Sequence, residues 1–313
     1  MYFLAAEEQR YLMKSGFLKA RELGIAEELR GWNWHRPPLE PAYDVKLALY
    51  EIASQYCPTG RDVFLRRVER KEGKPGRAMV EGTALHSVVT GVILQAKQLV
   101  YSLGVGQYEE IIRRLREACN PEAPLEPRWQ EEAERLPEER RAEFLRKMRT
   151  ARQFETDRVV GRLQDYLVRQ PFIGPDSLVA LALPVTVEHR LDGSYLGLSS
   201  QLNSDAYNFA EPMILDLKFG EPRPFHRLTT TGYALAMEAV YEFPVNFGCL
   251  VYVHFVGDRL RVTKDIHIIS DELRQWFIEA RDERQRMVAE ELDPGKPDEC
   301  PGWCQFYTVC QSA

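Results

Sequence analysis

The chain has 313 residues, which is enough for one large domain or two ordinary ones. Hydrophobic residues make up 44% and charged residues 28%, the balance of an ordinary soluble protein. No apolar run approaches the roughly 20 residues that span a bilayer. Acidic residues follow too early in "MYFLAAEEQRYLMKSG" for a signal peptide, so we expect a cytoplasmic protein with no membrane partner. The net charge of −6 argues mildly against nucleic-acid binding, although local basic patches matter more.

Helical patterns dominate the first half of the chain. The predicted helices cover residues 3–30 (ended by Gly31), 44–56, 60–71, 78–103, 107–118 and 128–170, the last with an interruption at Pro137. A Pro-rich connector, "NWHRPPLEPAYD", separates the first helix from the second.

Strand patterns follow in the second half. The predicted order is strands within 177–191, 194–209 and 211–220, a helix over 226–243, a hairpin over 246–269 turning at Gly257 and Asp258, and a helix over 270–292 capped by Ser270. This order predicts an α/β core with a mixed sheet and a helical N-terminal elaboration.

The pattern acid–any–lysine occurs at Asp44/Lys46, Glu69/Lys71, Glu72/Lys74 and Asp216/Lys218. Only the last pair follows an apolar run, in "MILDLKFG", within a predicted core strand. Residues i and i+2 of a strand point the same way, so Asp216 and Lys218 share a face. Inward-facing charges are costly unless they are paired or used. The pair is therefore either functional or a partly buried ion pair.

Asp205, in "LNSDAYNF", precedes this strand in a predicted hairpin and can lie beside Asp216 at its mouth. Two neighbouring carboxylates repel each other and favour a divalent cation, with Mg²⁺ or Mn²⁺ preferred by oxygen ligands. The alternative for Asp205 is a turn residue. His86 lies on an apolar helical stripe, where a lone histidine is usually a core residue.

A basic segment covers residues 60–77. It carries Arg61, Arg66, Arg67, Arg70, Lys71, Lys74 and Arg77. We predict that Arg66, Arg67, Arg70 and Lys71 bind nucleic-acid phosphates, with a solvated surface as the alternative.

Six cysteines in a large cytoplasmic chain indicate metal or catalysis before disulfides. Cys300, Cys304 and Cys310 stand together in "CPGWCQFYTVC", but thiolate metal sites usually take four ligands. We interpret Cys249 as a core residue and Cys119 as a helix-end residue.

The motif order resembles that of RecB-like nucleases of the PD-(D/E)xK superfamily. The order is "GTALHSV", an Asp before a hairpin, "ILDLKFG", and a helix with "TGYALAMEA". One branch of these nucleases has one cysteine before the core and three after it, holding an iron–sulfur cluster. Cys57, in "QYCPTGRD", is the matching first cysteine. Over about residues 50–310 the sequence is most similar to the CRISPR-associated RecB-like exonucleases of spacer acquisition, in the longer archaeal subtype I-A form.

The resemblance implies a restriction-endonuclease-like mixed β-sheet core flanked by helices, with a C-terminal cysteine cluster. We expect a helical N-terminal region over 1–77, a nuclease domain over 78–292 with a helical insertion at about 105–170, and a cluster tail over 293–313 packing near residue 57.

The resemblance also implies site roles. His86, Asp205 and Asp216 would be metal ligands, completed by the backbone carbonyl of Leu217, and Lys218 would be the catalytic lysine. Tyr233 matches the motif tyrosine, but Thr229 stands where the family often has glutamine.

The resulting expectation is a Mg²⁺- or Mn²⁺-dependent DNA exonuclease acting on single-stranded ends, with the CRISPR adaptation integrase subunits as partners. Cys57, Cys300, Cys304 and Cys310 would hold a [4Fe–4S] or [2Fe–2S] cluster, with a four-cysteine zinc site as the alternative. The alternative function is a non-catalytic iron–sulfur DNA-binding scaffold. A redox protein is a weaker hypothesis because no second electron-transfer site is visible.

Overall fold

The computed structural model describes residues 1–300 and 302–312. Its first half is helical. The helices are α1 (Ala6–Tyr11), α2 (Phe17–Leu23), α3 (Leu49–Ala53), α4 (Arg61–Arg67), α5 (Arg77–Leu103), α6 (Tyr108–Ala118), α7 (Pro127–Glu134), α8 (Glu138–Arg169) and α9 (Pro175–Ala182). A π-helical turn, Leu12–Gly16, joins α1 to α2.

The second half holds the sheet. Its elements are β1 (Val185–Leu191), β2 (Leu202–Asn208), β3 (Met213–Lys218), α10 (Arg227–Tyr241), β4 (Phe247–Val256), β5 (Arg259–Ile268), α11 (Asp271–Ala289) and α12 (Tyr307–Ser312). The order β1-β2-β3-β4-β5 is antiparallel throughout except for the parallel pair β3–β4, which α10 connects. The predicted α/β class with a mixed sheet flanked by helices is confirmed.

Several predicted elements are wrong in part. The predicted helix over 44–56 is reduced to Leu49–Ala53, and the predicted strand over 194–209 begins at Leu202. The first helix ends at Leu23 rather than before Gly31, because Gly24 adopts a φ of 67° that stops the helical hydrogen bonding. Only the short 3₁₀ turns Glu27–Leu29 and Gly31–Asn33 follow it. The predicted strand over 177–191 begins at Val185, because Pro175 opens helix α9 in front of it.

Successive side chains of strand β3 point to opposite faces of the sheet and so pack into two different apolar cores. Met213, Leu215 and Leu217 pack in the core formed with α5 and α8, whereas Ile214 packs in the core formed with α10 and α11. Asp216 and Lys218 follow Ile214 at two-residue spacing and therefore face the α10 side. Burial on both faces explains why "MIL" is apolar throughout.

A buried carboxylate fixes helix α10 in place. Glu238 is fully buried and accepts hydrogen bonds from Arg274 of α11 at 2.7 and 2.9 Å and from Arg30 at 2.8 Å. The backbone N–H groups of Gly31 and Val245 also donate to it, at 2.9 and 3.0 Å. The network satisfies the buried charge and holds α10 against α11 and the N-terminal segment.

No single helix among the described residues is long and apolar enough to cross a membrane. Arg77–Leu103 and Val105–Ala118 would suffice by length and composition only if counted together, across a bend of 111°.

Candidate functional site

Asp205 and Asp216 face each other across strands β2 and β3. The antiparallel register pairs Ala206 with Leu215, so one step further along it brings Asp205 opposite Asp216. The strands part at this point, and the backbone N–H of Leu217 donates to Asp205 Oδ2 at 2.8 Å. The predicted proximity of the two carboxylates therefore exists in the structure.

His86 and Lys218 complete the group. His86 Nδ1, from α5, lies 3.4 Å from Asp205 Oδ2, and Lys218 Nζ lies 2.8 Å from Asp216 Oδ2. We call His86, Asp205, Asp216 and Lys218 the acid–lysine site. His86 therefore contacts a carboxylate, although it lies on the apolar stripe of its helix.

Burial sets the protonation of the acid–lysine site. It raises the pKa of Asp205 to about 6 and that of Asp216 to about 6, and for Asp216 the nearby Asp205 adds to the rise. Burial also lowers the pKa of His86 to about 4, so its imidazole is neutral at pH 7. For Lys218, burial lowers the pKa, but the Asp216 carboxylate outweighs it and the net shift is upward. The site therefore offers a neutral imidazole, two repelling carboxylates and a charged ammonium.

The donor set fits a hard divalent cation in its chemistry. Asp216 Oδ2 is buried and makes no well-aligned hydrogen bond, although Lys218 is close to it. Burial disfavours the charged form of both carboxylates, and a cation bound between them would stabilise that form. Among residues 1–300 and 302–312, no three His, Cys, Asp or Glu side chains enclose a metal ion as they stand. The side chains would have to draw closer to coordinate one.

A cavity of about 430 Å³ opens onto Asp216 and Lys218. Its other walls include Thr229 and Tyr233 of α10. The hydroxyl of Tyr233 donates to the backbone carbonyl of Asn203 in β2 at 2.5 Å, and burial raises its pKa. The structure thus places Tyr233 in the cavity wall, anchored to β2, and Thr229 in the same wall.

The sequence alone did not indicate three further residues beside the site. Glu188 of β1 lies between the residues that pair with Ala206 and Ser204, which brings it near Asp205, and it has a φ of 51°. Burial, followed by the Asp205 charge, raises its pKa. Tyr56 and His226 line the cavity. Glu188 carries no signal without the strand register, but Tyr56 stands next to Cys57 and could have been considered with it.

The cysteines form a second group. Burial raises the pKa of Cys300 to about 11, and the neighbouring thiols of Cys304, Cys310 and Cys57 contribute to the shift. Burial also raises the pKa of Cys304, and Cys57 is again among its neighbours. We call Cys57, Cys300, Cys304 and Cys310 the cysteine group. Cys249 is buried in the core formed with α5 and α8, as predicted, and Cys119 caps the C-terminal end of α6, the predicted helix-end position, where it is also buried.

Side chains of α4 attach the tail to the body. Arg61 pairs with Asp293 at 2.9 Å and donates to Cys310 Sγ at 3.3 Å. Gly60 precedes this helix with a φ of 73°, and a Cβ there would overlap the guanidinium of Arg284. Glycine at this position avoids the overlap with Arg284 and allows the positive φ, so α4 can begin at Arg61, shortly after Cys57.

The basic segment is largely neutralised. Arg67 binds Glu51 through bonds of 2.6 to 3.0 Å, and Arg66 lies 3.4 Å from the same buried carboxylate. Arg61 pairs with Asp293, and Arg77 with Glu143 at 2.6 Å. Arg66 and Arg67, two of the four residues predicted to bind phosphates, are therefore already paired with a buried carboxylate.

The five-stranded mixed sheet flanked by helices is that of an α/β protein and is consistent with a nuclease-like core. A family model described as "CRISPR-associated exonuclease Csa1" matches residues 1–313. A protein of that name from Saccharolobus solfataricus is 33% identical over 310 residues, covering 96% of this chain and 97% of the relative. One from Thermoproteus tenax is 31% identical over 288 residues, covering 92% of each. The chain belongs to the CRISPR-associated exonuclease Csa1 family.

Proposed function

We propose that the chain is a divalent-metal-dependent DNA exonuclease that acts on single-stranded ends and processes DNA for CRISPR spacer acquisition. The observation that carries the proposal is the meeting of His86, Asp205, Asp216 and Lys218 at a cavity wall, in a member of an exonuclease family. The sequence motifs of RecB-like nucleases fall on these same positions.

The proposed metal ligands are His86, Asp205, Asp216 and the backbone carbonyl of Leu217. When bound, Mg²⁺ or Mn²⁺ polarises the scissile phosphate and makes a water molecule more acidic. His86 suits this role because its lowered pKa keeps a nitrogen lone pair free at neutral pH. The raised pKa values of the carboxylates support cation binding, since a cation favours their charged forms.

Lys218 is the proposed catalytic lysine. Its raised pKa keeps the ammonium charged, so it can stabilise the negative charge that develops on the phosphate. Tyr233 would shape the wall against which the nucleotide rests, because its hydroxyl is anchored to Asn203. Thr229 offers a hydroxyl where a glutamine would reach further into the cavity.

The cysteine group is the proposed site of a [4Fe–4S] or [2Fe–2S] cluster, with zinc as the competing occupant. The support is the donor set: Cys300 has the thiols of Cys304, Cys310 and Cys57 as neighbours, from two distant parts of the chain, although these side chains would have to draw closer to enclose a metal. Ligation would favour thiolates over the thiols that burial stabilises, and it would link metal binding to folding.

The decisive experiment is a nuclease assay of the purified protein on end-labelled single strands, blunt duplexes and closed circles, with Mn²⁺, Mg²⁺ or EDTA. We expect stepwise shortening of linear single strands with either metal, and none with EDTA. Cleavage of circles would reject exonuclease action. DNA binding without cleavage under all metal conditions would favour the scaffold function.

The proposed partners are the adaptation integrase subunits. Size-exclusion chromatography of the protein with these subunits and a DNA end checks this part separately. We expect a shared peak, and separate elution would reject the partnership.

A further inference from the structure

A row of aromatic rings runs from the cysteine group to the cavity. Trp303 lies between Cys300 and Cys304 in sequence, and its ring centroid is 5.2 Å from that of Tyr56, at an interplanar angle of 89°. Tyr56 in turn contacts Phe225 at 4.9 Å and 85°. We call Trp303, Tyr56 and Phe225 the aromatic row.

Two of the three rings in the row are open to solvent. Trp303 is 61% exposed and Tyr56 is 42% exposed, a large fraction for aromatic side chains that already contact each other. Scattered exposed apolar side chains are normal, but exposed aromatic rings that contact one another form a contiguous patch, and such patches commonly mark binding surfaces. The row is therefore a candidate binding surface.

The inner end of the row belongs to the acid–lysine site. Tyr56 and Phe225 line the same cavity as Asp216 and Lys218. The remaining walls present the side chains of Ser199, Gln201 and Asn203. Its volume of about 430 Å³ falls within the range of pockets that hold small ligands, and a mononucleotide is of that size.

Hydrogen bonds hold the middle ring in position. The hydroxyl of Tyr56 lies 2.9 Å from Nε2 of the buried His226, whose Nδ1 lies 3.1 Å from the hydroxyl of Tyr252 in β4. A ring that is fixed before binding loses little conformational entropy on contact with a ligand. Tyr56 is thus tied to the central sheet through His226, and its ring contact with Trp303 links it to the segment that carries Cys300 and Cys304.

We propose that the aromatic row binds the unpaired bases of a DNA single strand by stacking and leads the terminal nucleotide to the acid–lysine site. This inference rests on the proposed nuclease function and deepens it by naming the residues that select single strands. Every base has a π-face, so stacking on aromatic side chains is tolerant of sequence. The bases of a duplex are stacked on one another and cannot engage the row without unpairing.

The test measures binding of a fluorescein-labelled single strand by anisotropy in EDTA, with full-length variants of matched iron content and melting temperature. We expect Trp303→Ala to bind the single strand about fivefold to a hundredfold more weakly, the range for one lost base stack. Trp303→Leu, which keeps apolar bulk but lacks a ring, should lose as much. Trp303→Phe should retain most of the affinity.

Tyr101→Ala is the matched control, since Tyr101 is 54% exposed but lies near the end of α5, outside the row. It should bind normally. Affinity for a blunt duplex should not change in any row variant. Tyr56→Phe, which keeps the ring but removes the hydroxyl bonded to His226, should show a smaller loss than Tyr56→Ala.

Unchanged single-strand affinity in Trp303→Ala and Tyr56→Ala would overturn the inference, as would an equal loss for single strand and duplex. Loss of integrase association with DNA affinity intact would also overturn it and assign the row to a protein partner. The wild-type cleavage assay stands apart from these measurements. If the wild type cleaves DNA but the row variants bind single strands normally, only the DNA-binding role of the aromatic row is rejected. If the wild type never cleaves DNA, the nuclease function itself is rejected.

Discussion

Lys218 lies 2.8 Å from Asp216 beside a cavity, whereas Lys46, in the same acid–any–lysine pattern, has an exposed side chain. Lys218→Ala should lower the cleavage rate by about a hundredfold or more, because it removes stabilisation of charge that develops in the transition state. DNA affinity should change little. Single-turnover cleavage of an end-labelled strand measures the effect.

Lys46→Ala is the control for this comparison and should cleave normally. Both variants must match the wild type in iron content, since folding damage would imitate catalytic loss. A Lys218→Ala protein that cleaves as fast as its parent would remove the nuclease assignment and leave the scaffold function.

The carboxylates of the acid–lysine site make a second prediction, for pH dependence. Burial raises the pKa of Asp205 and Asp216 from 3.8 to about 6, so the folded metal-free protein keeps protons that the unfolded chain releases. Their contribution to the unfolding free energy therefore falls as the pH rises through this window. A bound cation stabilises the charged carboxylates and so offsets the cost of deprotonating them in the folded protein. Mn²⁺ should therefore raise the melting temperature more at about pH 7.5 than at about pH 5.

Scanning calorimetry with Mn²⁺ and with EDTA measures these increments. In Asp216→Asn the increment at the higher pH should shrink, while the metal-free variant should be no less stable than wild type. Equal increments at both pH values in the wild type would contradict the prediction.

The two carboxylates and the lysine of the acid–lysine site could be predicted from the sequence. Strand alternation places Asp216 and Lys218 on one face, and the hairpin brings Asp205 to them. Glu188 was not predictable, because its place near Asp205 depends on the register of β1, which is not adjacent in sequence to the motif. His226 was missed for a similar reason, since its two tyrosine partners come from remote segments.

Helix α4 illustrates how an element can carry charge for structural reasons. Arg66 and Arg67 converge on Glu51 of α3, whose side chain is fully buried. Arg67→Ala should therefore destabilise the protein by about 1–3 kcal/mol, because it leaves a buried carboxylate short of donors. The salt dependence of DNA binding should stay near that of the wild type.

Lys74→Ala is the control within the same basic segment, since Lys74 is exposed. It should leave the melting temperature unchanged. Urea unfolding and a salt titration of DNA affinity separate the two effects. A flattened salt slope with unaltered stability in Arg67→Ala would show that the arginine binds phosphate after all.

The long elements were predictable and the short ones were not. Helices α5 and α8 and the hairpin β4–β5 fall close to their predicted positions because their apolar repeats extend over many residues. The stretch after Gly24 is compact but mostly irregular, and its position depends on Arg30 and Gly31 meeting the buried Glu238. A tertiary anchor of this kind leaves no periodic signal.

At the scale of the whole molecule, the proposed metal centre at the cysteine group would join the region before α4 to the tail. Cys57→Ala should lose visible absorption and bound iron and lower the melting temperature, because the tail loses a ligand shared with the body. Absorption spectra, iron and zinc analysis and a melting curve measure this. Cys249→Ala, which alters a thiol buried in β4, should keep the iron. A colourless wild type holding one zinc per chain would reject the iron–sulfur assignment.

The contact between Arg61 and Cys310 spans 249 residues of sequence. At a synthesis rate of about 5–20 residues per second, α4 must wait on the order of ten seconds or more for its partner to leave the ribosome. All five strands of the sheet lie between the two and emerge first. The nascent chain can therefore pair its sheet before the tail exists, and docking of the tail comes last. During this interval Cys57 is an unprotected thiol, so its survival depends on the reducing power of the surrounding cell.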